Sequence, residues 1–211
     1  MTRRVLSRGL YAITDERPGA PRQLPVCVSE AIAGGASVIQ YRNKQGDAQQ
    51  RRQAAGALLQ LCQQHHVPLI INDDVALAAS VNADGVHLGK TDASVAQARQ
   101  QLGPQAIIGV SCYNSLERAM RAAQAGADYV AFGRFFSSHS KPDAPPAEAA
   151  LLRQARRQLQ LPIVAIGGIT PENGQALVAA GADLLAAIHG VFGQPDIEAA
   201  ASAYAALFQH R

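Results

Sequence analysis

AGADYVAFG, residues 125–133, places a small-residue helix end and a tight turn directly before a short apolar run. Three further segments repeat this pattern: GGASVIQYR at 34–42, NADGVHLG at 82–89 and AGADLLAAIHG at 180–190. Glycine and asparagine tolerate the left-handed backbone that commonly ends a helix, so each segment predicts a helix, a turn and then a buried strand. Repeated turns of this kind are typical of a parallel β-sheet.

Apolar runs of strand length occur at eight places along the chain, and stretches with helical periodicity separate them. The runs begin near residues 9, 37, 68, 85, 106, 129, 162 and 184. Asn114 and Thr170 have the character of helix starts. Eight such units in roughly 200 residues match a small (β/α)₈ barrel, with a doubly wound open sheet as the competing arrangement. We predict an α/β fold: a single TIM-barrel domain over residues 1–211.

Composition excludes several classes of protein. The net charge is +3 with scattered basic residues, so no nucleic-acid partner is expected. No apolar run reaches the roughly 18 residues of a membrane-spanning helix, and the first residues lack a signal-peptide core, so we expect a cytoplasmic protein without a membrane partner. Cys27, Cys62 and Cys112 lack CxxC spacing and are expected to be reduced and buried. The oligomeric state stays open.

QYRNK, residues 40–44, places polar side chains at every second position of a strand end. Alternation puts Gln40, Arg42 and Lys44 on one face, toward the barrel axis, and barrel enzymes carry their chemistry at the carboxyl ends of the strands. A buried arginine needs an anionic partner. That partner is either a carboxylate of the protein or a phosphate of a ligand, and both interpretations remain open.

Two aspartates follow neighbouring strands. Asp73 ends the third apolar run and Asp92 follows the fourth, and adjacent strands lie about 4.8 Å apart. The two carboxylates are therefore expected to reach a common ion. Magnesium is usually held by one or two protein carboxylates, with phosphates and water completing its shell. The alternative is that each aspartate caps the helix that follows it.

The segment after the sixth run, residues 134–146, is long and carries several hydroxyls and a lysine. Such a loop either closes over phosphates at the barrel mouth or is an ordinary solvated loop. The last two runs end in the glycine-rich segments AIGGIT and IHGVFG. Barrels often bind phosphate at this position through backbone N–H groups.

Almost the whole chain resembles the thiamine phosphate synthase family. The segments that carry the resemblance are, in order, QYRNK, NDD, GVHLG, TD, GVSC, YVAFGRFF with SHSKP, AIGGI and GADLLAAIHG. The resemblance implies a transferase that joins hydroxymethylpyrimidine diphosphate to hydroxyethylthiazole phosphate, uses magnesium and releases pyrophosphate. Its partners would therefore be small molecules that carry phosphate and diphosphate groups. The family chemistry is a dissociative substitution, in which stabilisation of the leaving group dominates.

The resemblance also implies roles for individual residues. The pyrimidine diphosphate would be bound by Gln40, Arg42, Lys44, Asn72, Ser111 and Lys141. Within that set, the catalytic contacts to the departing pyrophosphate would come from Arg42, Lys44, Ser111 and Lys141. Asp73 and Asp92 would bind Mg²⁺. The thiazole phosphate would be bound by Ser138 and Ser140 and by the backbone at Gly168, Ile188 and His189.

The sequence departs from the family pattern at Tyr41, Lys90, Arg134 and His189. Two other functions remain as alternatives: a thiazole tautomerase-like isomerase, which needs a proton-transfer group, and a non-catalytic barrel that binds a phosphorylated metabolite. His87 is interpreted as a barrel-lining histidine whose nitrogens are satisfied, rather than as a general base.

Overall fold

The computed structural model describes residues 6–14, 23–137 and 145–209. The strands are β1 Gly9–Ile13, β2 Ala36–Tyr41, β3 Leu69–Asn72, β4 Gly85–Leu88, β5 Ile107–Tyr113, β6 Tyr129–Phe132, β7 Ile163–Ile166 and β8 Leu184–Ala187. The helices are α1 Leu24–Ala33, α2 Ala48–Gln64, α3 Val75–Val81, α4 Val95–Leu102, α5 Leu116–Gln124, α6 Ala149–Gln158, α7 Pro171–Ala179, α8 His189–Phe192 and α9 Ile197–Ala206. A strand lies at each of the eight predicted places.

The eight strands form a closed parallel barrel in chain order, with a helix after each strand. Closure is made between the first and last strands, where Leu10 pairs with Leu185 and Ala12 with Ala187. The (β/α)₈ prediction is therefore confirmed, and the open-sheet alternative is wrong, because an open sheet would leave β1 and β8 as unpaired edges.

Alternation along the strands divides the apolar side chains into two layers. Tyr11, Ile13 and Val164 belong to the cluster inside the barrel. Leu10 and Ala12, which alternate with Tyr11 and Ile13 along β1, belong to the larger cluster between the barrel and its helices. The barrel therefore has a packed interior, and the space for a ligand lies above this interior packing, at the strand ends.

The four repeated segments are the turns into the even-numbered strands, as predicted. Asn82, Gly126 and Gly181 adopt positive φ angles of 55°, 89° and 115° there. The aspartates that follow these turns have a structural role that the sequence pattern did not predict. The Oδ2 atoms of Asp84, Asp128 and Asp183 accept hydrogen bonds from the backbone N–H groups of Leu69, Ile108 and Ile163 on the preceding strand, at 2.9, 2.8 and 2.9 Å.

Arginines from the outer helices complete two of these turns. Arg99 on α4 donates to Asp128 at 2.6 Å, and Arg156 on α6 donates to Asp183. Both ion pairs lie at the amino ends of the strands, at the opposite end of the barrel from the predicted site. In a (β/α)₈ barrel that face contributes to stability rather than catalysis.

The helix caps decide one question that the sequence left open. Asp74, and not Asp73, accepts the capping hydrogen bond of α3 from Leu77 N at 2.8 Å. Ser94, and not Asp92, caps α4 by accepting from Gln97 N at 3.2 Å. The capping alternative for Asp73 and Asp92 is therefore wrong, and both carboxylates are left for other contacts.

Two other helix starts were predicted. Ser115, rather than Asn114, caps α5, because its hydroxyl accepts from Arg118 N at 3.1 Å. Thr170 precedes α7 as predicted, and its backbone N–H donates to Asn173 Oδ1 at 2.9 Å.

Burial of the thiols follows the prediction in part. Cys62 and Cys112 are buried, and the loss of solvation raises the pKa of each thiol to about 12. Cys27 is only half-buried.

Among the described residues, none of the helices combines the length and the apolar character that crossing a bilayer requires.

Candidate active site at the barrel mouth

A cavity of about 390 Å³ opens at the carboxyl ends of the strands. Its floor consists of apolar interior side chains such as Ile13, Val164 and Ala186, and its rim is polar. Nine of the residues predicted to bind substrate or metal line it: Gln40, Arg42, Lys44, Asn72, Asp73, Ser111, Gly168, Ile188 and His189. Barrel closure thus brings together residues from positions 40 to 189 of the chain.

The polar face predicted for QYRNK is present, although the strand ends before it is complete. Gln40 is 2% exposed inside the barrel, whereas Arg42 and Lys44 lie beyond the end of β2. The buried hydroxyl of Thr14 accepts a hydrogen bond from the backbone N–H of Arg42 at 2.9 Å. This bond continues the pairing of β1 with β2 and holds the arginine backbone at the rim.

The two cations differ in their partners. Lys44 Nζ lies 3.2 Å from Asp73 Oδ2, so the lysine forms an ion pair with a carboxylate of the protein. No carboxylate in residues 6–14, 23–137 and 145–209 forms an ion pair with Arg42. Arg42 lines the cavity and has no carboxylate partner among these residues. This favours a ligand anion as the partner of its guanidinium group.

Asp73 and Asp92 come together as predicted. Asp73 leaves β3 with a φ of 63°, and its side chain hydrogen-bonds that of Asp92. Asp92 Oδ2 also accepts from Gly89 N at 2.5 Å. Gly89 keeps this space open, because a Cβ there would lie 2.7 Å from Asp92 Oδ2 and 3.8 Å from Asp73 Oδ1.

The two carboxylates titrate in opposite directions. Burial, followed by the neighbouring Asp73, raises the pKa of Asp92 above its ordinary value. Burial also acts on Asp73, but the hydrogen bond from Asp92 and the contact with Lys44 outweigh it and hold the pKa of Asp73 below its ordinary value. Two carboxylates this close repel each other when both are charged, and a bound divalent cation would relieve that repulsion.

Ser111 and His87 belong to a hydrogen-bonded set of five side chains inside the barrel, which we call the interior network. It consists of Gln40, Tyr11, Tyr129, His87 and Ser111, joined in that order. His87 Nε2 lies 2.9 Å from Ser111 Oγ and His87 Nδ1 lies 2.9 Å from Tyr129 Oη. Both ring nitrogens are engaged, as expected for a barrel-lining histidine.

Tyr11 and Tyr129 were not among the residues predicted from the sequence. A signal was present, because alternation in GLYAIT and YVAFG places both tyrosines on the interior face, where a buried hydroxyl needs a partner. Arg118 on α5 was also missed. Its guanidinium donates to the carbonyl oxygens of Ser111 at 2.7 Å and Gly89 at 3.0 Å, and so holds two strand ends together.

The ends of β7 and β8 form the opposite wall. Gly167 and Gly168 have φ angles of 105° and 61°. A Cβ at Gly168 would lie 2.3 Å from the carbonyl oxygen of Ser137, so glycine is required for this close approach of two loops. Ile188 and the exposed His189 continue the wall at the start of the short helix α8.

The loop after β6 is described only in part. Ser137 and Arg134 line the cavity. Ser138, Ser140 and Lys141 lie outside the described residues. Lys90 is exposed and is not among the residues that line the cavity.

A closed (β/α)₈ barrel with cations, paired carboxylates and glycine-rich strand ends at its mouth defines a class: barrel enzymes that act on phosphorylated small molecules. Sequence comparison narrows this class. The family model described as thiamine monophosphate synthase matches residues 10–191, and the chain belongs to this family of transferases.

Individual relatives agree. The thiamine-phosphate synthase of Alcanivorax borkumensis is 53% identical over 95% of this chain and 94% of its own length. That of Nitrosococcus oceani is 55% identical over 93% of this chain and 91% of its own. A solved structure, the thiamine phosphate pyrophosphorylase of Pyrococcus furiosus, superposes with a TM-score of 0.86 at 34% identity and covers 94% of each chain.

Proposed function

We propose that this protein synthesises thiamine phosphate from hydroxymethylpyrimidine diphosphate and hydroxyethylthiazole phosphate, with release of pyrophosphate. The observation that carries the proposal is the convergence at one mouth of Arg42, Lys44, Asp73 and Ser111, which line the cavity, with Asp92 beside them. This set suits a diphosphate leaving group. Membership of the thiamine monophosphate synthase family supports the identity of the substrates.

The diphosphate would lie against the β2, β3 and β5 side of the cavity. Arg42 offers a planar fork of donors for two phosphate oxygens, and Lys44 adds a point charge. Asn72 and Ser111, at the ends of β3 and β5, offer an amide and a hydroxyl to the same group. Lys141 would join them from the loop after β6.

The donor set fits magnesium. Within the described residues, the side chains do not supply a cluster of three or more acidic, histidine or cysteine groups that would hold a metal alone. Asp73 and Asp92 supply two carboxylates, so phosphate oxygens and water would complete the shell, which is the usual arrangement for this ion. Bound magnesium would neutralise part of the charge that develops on the departing diphosphate.

The thiazole phosphate would lie against the opposite wall. The backbone at Gly168, Ile188 and His189 borders the cavity there, and the positive φ angles of Gly167 and Gly168 allow close approach of a phosphate. Ser138 and Ser140 would contribute hydroxyls. A backbone site tolerates His189 at its position, because the contact does not depend on the side chain.

Catalysis in this scheme needs charge stabilisation rather than a base. The C–O bond to the diphosphate breaks, its electron pair leaves with pyrophosphate, and the thiazole ring nitrogen forms the new C–N bond to the pyrimidinylmethyl carbon. That nitrogen becomes quaternary and has no proton to lose. Arg42, Lys44, Lys141 and the Ser111 hydroxyl therefore act on the leaving oxygens. The engagement of both His87 nitrogens argues against the tautomerase-like isomerase, which needs a proton-transfer group.

The test is to incubate the purified full-length protein with both substrates and Mg²⁺ and to measure thiamine phosphate and pyrophosphate by chromatography. We expect equal amounts of the two products, and none when the metal is chelated. Isomerisation of the thiazole phosphate alone would favour the isomerase. Binding of either substrate by calorimetry without turnover would favour the non-catalytic barrel.

We further propose a cytoplasmic location. Cys62 and Cys112 support it, because both are buried thiols in a chain that lacks the paired spacing of a disulfide framework.

A further inference from the structure

The interior network crosses the barrel beneath the cavity and ends at the cavity on both sides. Gln40 Nε2 lies 2.9 Å from Tyr11 Oη, which lies 2.6 Å from Tyr129 Oη. Tyr129 Oη lies 2.9 Å from His87 Nδ1, and His87 Nε2 lies 2.9 Å from Ser111 Oγ. Gln40 and Ser111, its two ends, both line the cavity.

Counting hydrogens gives the network a direction. Burial raises the pKa of Tyr11 and of Tyr129 far above the usual value for a phenol, so each hydroxyl keeps its single hydrogen. Tyr11 accepts from the Gln40 amide and therefore donates to Tyr129. Tyr129 then donates to His87 Nδ1, which must carry no hydrogen.

The same count determines the Ser111 end. With Nδ1 as the acceptor, the hydrogen of the neutral His87 ring is on Nε2 and is donated to Ser111 Oγ. Ser111 Oγ is thus already an acceptor inside the barrel. Its own hydrogen is left for the cavity, where an anion would receive it.

The opposite direction conflicts with the position of the Gln40 amide. If Ser111 donated to His87, the donors would run from Ser111 to Tyr11, which would then accept from both Tyr129 and Gln40. The Tyr11 hydrogen would be buried without an acceptor, which is strongly unfavourable. Only a Gln40 amide turned by half a revolution, with Oε1 toward Tyr11, would satisfy the reversed network.

We propose that Tyr11, Tyr129 and His87 are positioning residues that make the Ser111 hydroxyl a hydrogen-bond donor to an anionic ligand. The same network leaves Gln40 Oε1 as an acceptor for the ligand. The identification of that anion as the departing diphosphate rests on the proposed function, whereas the direction of the network does not. A hydroxyl held as a donor stabilises developing negative charge without first having to reorient.

The direction can be measured without turnover. The full-length protein is labelled with ¹⁵N-histidine, the His87 ring signals are assigned with His87→Asn, and the ring nitrogen that carries hydrogen is read by NMR. We expect hydrogen on Nε2 and none on Nδ1. Hydrogen on Nδ1 would overturn the proposal, because the network would then run from Ser111 toward Gln40.

Tyr129→Phe tests whether the direction comes from the tyrosines. This change leaves His87 and Ser111 intact, yet removes the hydroxyl that donates to His87 Nδ1, so we expect both neutral forms of His87 to become populated. Tyr204→Phe is the matched control. It removes another tyrosine hydroxyl, which donates to Ile169 O at 2.7 Å outside the network, and should leave the His87 signals unchanged. An unchanged His87 ring in Tyr129→Phe would contradict the role given to Tyr129.

A double-mutant cycle tests the link to catalysis. Tyr129→Phe is expected to lower kcat about 3- to 10-fold, the scale of one hydrogen bond. In a Ser111→Ala background the same change should lower kcat less than about twofold, since the positioned hydroxyl is already absent. An equal loss in both backgrounds would make Tyr129 merely structural. If no variant and no wild type forms product, the proposed function fails, while the NMR result still decides the direction of the network.

Discussion

Arg42 lines the cavity and forms no ion pair with a carboxylate of the described residues. The shape of its guanidinium group should therefore matter for binding of the ligand. Arg42→Lys keeps the charge but loses the two-pronged donor geometry. We expect kcat/KM for the pyrimidine diphosphate to fall about 10- to 150-fold, which corresponds to about 1.5–3 kcal/mol of transition-state binding. Steady-state kinetics with varied diphosphate substrate measures this.

Arg52→Lys provides the matched control for that change. Arg52 is exposed on α2 and does not line the cavity. Its replacement should leave kcat/KM within about twofold of wild type, as is usual for surface positions. If Arg42→Lys behaves like Arg52→Lys, then Arg42 serves the structure rather than the ligand.

A magnesium titration of activity distinguishes the role of Asp73 and Asp92 as metal ligands from the role of their neighbour Asp74 as a helix cap. Asp73→Asn and Asp92→Asn keep the size of the side chain but remove its charge, so each should raise the magnesium midpoint of activity roughly tenfold or more, the scale of one charged contact. The double variant should raise the magnesium midpoint little further than either single variant, because one substitution already disrupts the metal site. Asp74→Asn should instead leave the magnesium midpoint unchanged, since Asp74 caps α3 and pairs with Arg51. Wild-type midpoints in the Asp73 and Asp92 variants would rule out both as charged ligands.

The turns into β6 and β8 show how a repeated element can be stabilised at the end of the barrel away from the site. Asp128→Ala removes both the ion pair with Arg99 and the hydrogen bond from Ile108 N. The two side chains of that pair are 19% and 10% exposed, so we expect a loss of about 3 kcal/mol in the free energy of unfolding by urea.

Glu117→Ala is the comparison for the Asp128 variant. Glu117 and Arg121 form an exposed pair one turn apart on α5, which contributes about 0.3–0.5 kcal/mol. Equal losses for the two variants would mean that the barrel turn is no stronger than a surface ion pair.

The starts of the helices were predicted less well than the strands, because the sequence did not identify the capping residue. In the segment NDDV both aspartates were sensible caps for α3, and only the register of the turn assigns that role to Asp74. Asn114 and Ser115 are likewise both good capping residues, and the structure selects the serine. Capping residues one position apart have similar propensities, so the path of the chain between strand and helix makes the choice.

Ligand binding should stabilise the barrel as a whole, because the site is assembled from strand ends that separate on unfolding. Pyrophosphate with Mg²⁺ at about 100 times its dissociation constant should add about 2.7 kcal/mol to the free energy of unfolding. For a domain of this size that is about 5–10 °C in Tm. Thermal melts with and without the ligand measure it. Arg42→Ala should lose most of the shift at the same concentration, and a full shift in that variant would argue that pyrophosphate binds elsewhere.

Strands and turns followed from local patterns, because alternation and glycine-bearing helix ends depend on backbone sterics over a few residues. Barrel closure did not, because only the pairing of β1 with β8 excludes an open sheet. The clustering of Gln40, Arg42, Asn72, Asp73 and Ser111 followed as well, since all lie at strand ends that a parallel barrel must gather at one face. The pairings themselves did not follow. Tyr11 and Tyr129 are 118 residues apart, and their 2.6 Å contact depends on the register of eight strands around a closed ring. Contacts of that kind are set by the geometry of the assembled barrel, which no short stretch of sequence specifies.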